Sequence, residues 1–209
     1  MGISEGKISQ IMGNIFDIIV IGILWLLCSI PIITLFVSTT AAYYTMAKVV
    51  RAGEGYLFSE FFKSFKLNLK QGILAGTHYI IAGIILALDM IYLWNNRSQA
   101  NDTLFIILCG VAFILISVNL YFCPMLSRFT KTTKELLFTS SFSAFRYLPV
   151  TIGCIIVIAV FIFLIWLMPW MIFLAPGLFM YLFTYPSEFV MKHFMAKNSE
   201  EEQKWYDKL

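Results

Sequence analysis

The chain has 209 residues, of which 60% are hydrophobic and only 13% charged, with a formal net charge of +3 and a mean hydropathy of +0.82. Soluble domains carry about 25% charged residues, so this composition excludes an ordinary soluble protein and requires an integral membrane one. It also argues against nucleic-acid binding, because the few cations fall where membrane topology alone would put them.

An apolar stretch of roughly 20 residues is needed for each helical crossing, since lipid offers no partner to an unpaired backbone group. The first such run covers residues 15–36. It contains Pro31, which removes a backbone donor, and Thr34 three residues on, whose hydroxyl can satisfy the freed carbonyl. The run is expected to form a kinked helix that continues through "STTAAYYTMAKVVR"; a discontinuous helix that offers its open backbone to a solute is the functional alternative. A cleaved signal peptide ending near "VSTTAA" is not expected, because the apolar run is too long and Glu5 and Asp17 stand where basic residues should lead.

Residues 57–71, "LFSEFFKSFKLNLKQ", place Phe61, Phe62 and Phe65 at helical steps beside Lys63 and Lys66, the pattern of an amphipathic helix at an anionic membrane surface or a partner. The second span, 72–94, repeats small residues at Gly72, Gly76, Gly83 and Ala87, which suits close helix approach. It also holds His78, read as a hydrogen-bonded packing residue, and Asp89, a carboxylate near the outer end that either reaches water or binds a solute.

The third span, 103–126, contains Asn119, an interhelical hydrogen-bond candidate. Residues 131–146 form a second amphipathic segment with Lys134, Phe145 and Arg146 available for surface or partner contact. "SFSAFR" there aligns with "FFKSFK" at residues 61–66, a weak sign of duplication. The long run that follows divides into spans 148–168 and 171–190, with Pro169, Pro176 and Gly177 as the breakers. Glu188 and His193 fall at its cytoplasmic end, where solvation is expected. Cys28, Cys109, Cys123 and Cys154 lie within spans, in no CxxC pair, and read as small buried hydrophobes.

The expected architecture is an all-α polytopic membrane bundle of five transmembrane helices and two cytoplasmic amphipathic helices, in one domain. Thirteen of the fifteen Lys and Arg residues lie on one side of that arrangement. Cytoplasmic loops hold the excess of cations, so the C-terminus is placed in the cytoplasm and the N-terminus outside.

The stretch "SIPIITLFVSTTAAYYTMAKVVRAGEGYLFSEFFKSFKLNLKQ" resembles the YesL-like family of small bacterial membrane proteins, through Pro31, Thr34, Thr40, Ala41, Tyr43, Phe61, Phe62, Phe65, Lys66, Asn68 and Gln71. "YFCPMLSRF" and "FRYLP" extend the likeness over most of the chain. Family members often have a Gly-Pro pair after the threonine; Leu35, Phe36 and Val37 stand here instead, which speaks against a sharp turn. The resemblance implies a plasma-membrane protein of a Gram-positive bacterium, found beside carbohydrate ABC importers and their solute-binding lipoproteins.

No nucleotide-binding, zinc or nucleophile motif is present, so neither enzymatic activity nor a cofactor or metal is expected. The leading expectation is an accessory or regulatory membrane subunit of a carbohydrate ABC importer, in contact with the lipid bilayer and with permease or ATPase subunits. "KELLFTSSFSAFRYLP" has a faint likeness to the loop by which permeases engage their ATPase, but the spacing is too short and the usual Ala-Ala and Gly are absent, so direct ATPase contact through it is the less favoured reading. The alternative is a small-solute transporter or channel acting as a homo-oligomer, its path lined by Pro31 and Asp89. A lipid-binding assembly factor is a third, structural reading.

Overall fold

The structure is a computed structural model that describes residues 2–96 and 98–195, with side chains described for 12–96, 98 and 100–192. Every regular element among them is helical: α1 (Gly2–Ser29), α2 (Leu35–Thr45), α3 (Leu57–Asn95), α4 (Gln99–Arg128), α5 (Thr133–Arg146), α6 (Leu148–Leu167) and α7 (Ala175–Met195). Short 3-10 turns at Ile32–Thr34 and Pro169–Phe173 precede α2 and α7, and a π-helical turn, Met46–Arg51, extends α2. The all-α expectation holds. Four helical stretches are long and apolar enough to cross a membrane by length and composition: residues 12–29, 57–95, 100–128 and 148–167. The expected fifth span, α7, is not among them; Glu188 and Lys192 dilute its apolar content.

The first amphipathic segment is not a separate helix. Residues 57–71 and the following span are one uninterrupted α3 of 39 residues, roughly 58 Å at helical rise and about twice the thickness of a bilayer core. No proline interrupts it, and its two central glycines are used for packing: a Cβ on Gly72 would stand 2.8 Å from the Val37 side chain, and one on Gly76 would stand 3.0 Å from the ring of Phe36. Gly83, by contrast, faces open space, so only the inner half of the small-residue pattern serves helix approach.

The N-terminal third departs most from expectation. Rather than continuing past Pro31, the helix ends at Ser29, and α2 folds back along α1. The indole Nε1 of Trp25 donates to the Thr39 hydroxyl at 3.0 Å; in a continuous helix these residues would be about 21 Å apart. Ile21 of α1 shares a core with Ala41, Ala42, Met46 and Val50. The turn is stabilised by Thr34, whose hydroxyl lies 2.6 Å from the Cys28 carbonyl and 2.7 Å from that of Pro31. Pro31 and Thr34 therefore have the expected local chemistry but close a reversal, even without the family's Gly-Pro pair. The start of α1 consequently lies at the same end of this hairpin as Lys48 and Arg51, not at the opposite end as expected from charge.

Helix α2 is the hub of the fold: eight of its eleven residues are buried. Three of its hydroxyls suit this burial, because Thr39, Thr40 and Thr45 each donate to the carbonyl four residues back, at 2.7, 2.8 and 2.8 Å, and so need no water; the buried Ser38 hydroxyl has no hydrogen-bond partner among the described residues. One core packs α2 against α4, α5 and α7 around Tyr43, Tyr121, Phe122 and Phe183. The other packs α2 against α1, α3 and Met180 of α7.

The break between α6 and α7 begins at Met168 and Pro169, as expected. Pro176 and Gly177, read as breakers, instead lie inside the first turn of α7. Gly177 is there for contact: a Cβ at that position would lie 2.1 Å from the Ile18 carbonyl oxygen of α1, and one on Gly22 would lie 2.9 Å from the Gly177 nitrogen. Two glycines thus let α1 and α7 touch backbone to backbone.

Candidate functional site

Where α2, α4 and α7 meet, the chain buries an ion pair. Arg128, in the last turn of α4, pairs with Glu188 of α7; their side chains are 1% and 3% exposed. The Tyr43 hydroxyl of α2 donates to Glu188 Oε1 at 2.7 Å, and the Ser187 hydroxyl lies 2.9 Å from that of Tyr43. Charge in such surroundings persists only when paired and hydrogen-bonded. By sequence Arg128 is one of the thirteen cations on the cytoplasmic side, and Glu188 is expected to be solvated. The structure corrects this by burying both, and the available signal was a lone acid in an apolar run facing a lone arginine after another. His193 lies outside the residues with described side chains.

Beside this pair a cavity of about 180 Å³ is lined by Tyr43, Asn119, Leu120, Cys123 and Phe183. Asn119 is the one expected solute residue on its wall, and its amide oxygen is buried with no hydrogen-bond partner. The others are not brought there. His78 is exposed, its Nδ1 2.6 Å from the Leu74 carbonyl. Asp89 is exposed on α3, thirteen residues and about 20 Å beyond Gly76, which touches Phe36. Pro31 sits exposed at the α1–α2 turn. Neither Pro31 nor Asp89 lines this cavity.

A larger cleft, about 760 Å³, opens between the first half of α3 and the link from α4 to α5, with Lys48, Lys63, Asn68, Gln71 and Lys131 on its walls. Gln71 spans it, donating to the Lys131 carbonyl at 2.9 Å. Lys48 is 2.9 Å from Glu60; burial lowers the pKa of its ammonium, but the hydrogen bond to Glu60 and the neighbouring Tyr44 outweigh that and hold it above the ordinary lysine value.

The expected surface residues divide. Phe62, Lys63, Lys66, Lys134, Phe145 and Arg146 are exposed, and the Arg146 guanidinium lies over the Phe142 ring at 5.8 Å. Phe61 is fully buried against α2 and so holds the fold rather than meets a partner, with the half-buried Phe65 stacked on it at 6.3 Å. Phe65 and Phe145, superposed in the supposed repeat, differ in environment: Phe65 is half-buried against the core and Phe145 is exposed. Helix α5 is a separate helix as expected, opened by a capping box of Thr132 and Glu135, with Leu136, Ser140, Ser143 and Ala144 buried.

Residues 18–90 match the family described as "Protein of unknown function, DUF624", which covers the second half of α1, α2 and most of α3. The chain is 28% identical over 137 residues to "Uncharacterized protein YesL" of Bacillus subtilis (strain 168), an alignment spanning 63% of this chain and 64% of that protein. The chain thus spans somewhat less than two thirds of the length of the curated relative it matches. No solved structure matches it.

Proposed function

Taking the chain as a member of the YesL-like family, we propose that it is a non-enzymatic accessory or regulatory subunit of a carbohydrate ABC importer in the plasma membrane of a Gram-positive bacterium. The observation that carries this reading is a pair of exposed aromatic and cationic faces. Phe58 and Phe62 of α3, with Lys63 and Lys66, form one; Phe138, Phe142 and Phe145 of α5, with Lys134 and Arg146, form the other. Five large rings left in the open beside cations suit a membrane surface or a partner helix better than water.

In this reading the basic segments and the C-terminus are cytoplasmic: α3, α4 and α6 cross the bilayer, α7, too polar to pass by composition alone, returns through it packed on α1, and the α1–α2 hairpin brings the N-terminus back to the cytoplasmic side in place of the outside position expected from charge. Purification of the full chain from its native membrane in a gentle detergent tests the partnership. Permease and ATPase subunits should co-purify, and Phe138→Glu with Phe142→Glu should release them. Recovery of the chain alone, with or without the substitutions, contradicts the proposal.

One observation favours the transporter alternative: the cavity beside Tyr43 with its unpartnered Asn119 oxygen. A lone homo-oligomer that moves solute in vesicles, and loses that activity in Asn119→Leu, would support it.

A further inference from the structure

The basic cleft does not end at Gln71. One turn further along α3, on the other side of the Gln71–Lys131 hydrogen bond, an apolar groove of about 450 Å³ runs between α3, α4 and α5, lined by Leu74, Tyr79, Ala82, Leu115 and Leu137. Thr133 and Lys134 close its cleft-side end, directly after Lys131 and Thr132 of the cleft itself. A cationic compartment and an oily one therefore share a boundary at residues 131–134.

Charges near the boundary are not equivalent. Lys48 is met by Glu60 and Arg128 by Glu188, whereas among the described residues no carboxylate is recorded within 4.0 Å of Lys63, Lys131 or Lys134. The only acid in the stretch 131–146, Glu135, is engaged in the capping box with Thr132. Lys131 lies over the Phe129 ring at 5.3 Å, and Gln71 fixes its backbone, so its ammonium is held at the junction. A ligand that fits both compartments carries negative charge at one end and a hydrocarbon chain at the other. A free sugar phosphate would leave the groove empty, and a neutral lipid would leave three lysines without a counter-charge.

We infer that the α3–α4–α5 junction is a binding site for an anionic phospholipid, with the phosphate held among Lys63, Lys131 and Lys134 and one acyl chain laid in the groove past Leu74, Tyr79 and Leu137. Basic pockets between helices at a membrane face recognise anionic headgroups in this way, and the Lys134 stem can lie along the groove while its ammonium stays at the headgroup. The site borders the exposed phenylalanine faces and shares Lys63 and Lys134 with them, but lipid binding by the isolated chain does not require the importer partnership.

The test is lipid binding by the full-length protein in a neutral detergent, read by native mass spectrometry and by thermal unfolding with phosphatidylglycerol, phosphatidylcholine or inorganic phosphate added. Phosphatidylglycerol should remain bound and raise the unfolding temperature, and it should do so about tenfold more weakly or worse in Lys131→Gln with Lys134→Gln. Ala82→Trp, which fills the groove and leaves every lysine in place, should weaken it as well. Circular dichroism establishes that each variant is folded; should one fail to fold, Lys63→Gln and Leu137→Trp serve as the charge and groove variants. Equal binding of phosphatidylcholine overturns the inference. So does full reproduction of the shift by inorganic phosphate with no effect of the groove variant, as does unchanged phosphatidylglycerol binding in the lysine variants.

Discussion

Replacing Glu188 with Gln removes the carboxylate that meets Arg128 while keeping the shape of the side chain. Both partners are almost fully enclosed, at 1% and 3% side-chain exposure, so the guanidinium cannot turn to water when its counter-charge goes. Breaking a buried pair from one side costs about 3–5 kcal/mol, and the Tyr43 hydroxyl, which donates to the same oxygen at 2.7 Å, keeps an acceptor in the amide and adds little. Arg128→Met should cost as much, because it strands the carboxylate. The double variant Arg128→Met, Glu188→Leu should recover most of the loss, since an apolar pair of similar volume needs no desolvation to be repaid. Thermal and denaturant unfolding of the purified protein in detergent, arranged as a double-mutant cycle, reads the coupling directly. Single variants that each lose less than about 1 kcal/mol, with no coupling between them, would refute the view that this pair ties α4 to α7.

The α1–α7 contact gives a sharper steric case: Gly177→Ala sets a Cβ 2.1 Å from the Ile18 carbonyl oxygen and should destabilise by about 1–3 kcal/mol or more, whereas Gly83→Ala, facing open space, should be neutral or slightly stabilising; unfolding midpoints compare the two. Thr34→Val removes the hydroxyl from the Cys28 and Pro31 carbonyls and should cost about 1 kcal/mol, with Trp25 fluorescence reporting a loosened hairpin. Thr132→Ala removes the α5 cap and should cost about 1 kcal/mol, seen as faster amide exchange at the start of that helix.

Much of the architecture was legible in the sequence because lipid imposes a single-variable test, apolar length, and residues 72–94, 103–126 and 148–168 pass it cleanly. Reading failed where a residue's role depends on contacts made across the fold. Nothing local distinguishes a proline that kinks a helix from one that reverses it; what decides at Pro31 is that α2, rich in small and self-satisfied hydroxyl residues, can be buried on all sides. Phe61 and Phe62 are adjacent and chemically identical, yet one fills the core against α2 and the other is exposed. Arg128 and Glu188 looked like solvated ends because their mutual approach joins helices sixty residues apart. The basic cleft was half visible: Lys63 was singled out, but its sharing a cleft with Lys131 needed the turn at residues 129–132.

The proposed placement of that cleft at the cytoplasmic face underlies both the proposed partnership and the phospholipid site, and side-specific cysteine labelling in intact cells tests it most directly. With Cys28, Cys109, Cys123 and Cys154 replaced by alanine, Lys63→Cys and Lys134→Cys should resist a membrane-impermeant reagent until the cells are opened, and Ala100→Cys should react at once. Labelling of position 63 or 134 from outside intact cells would contradict the account.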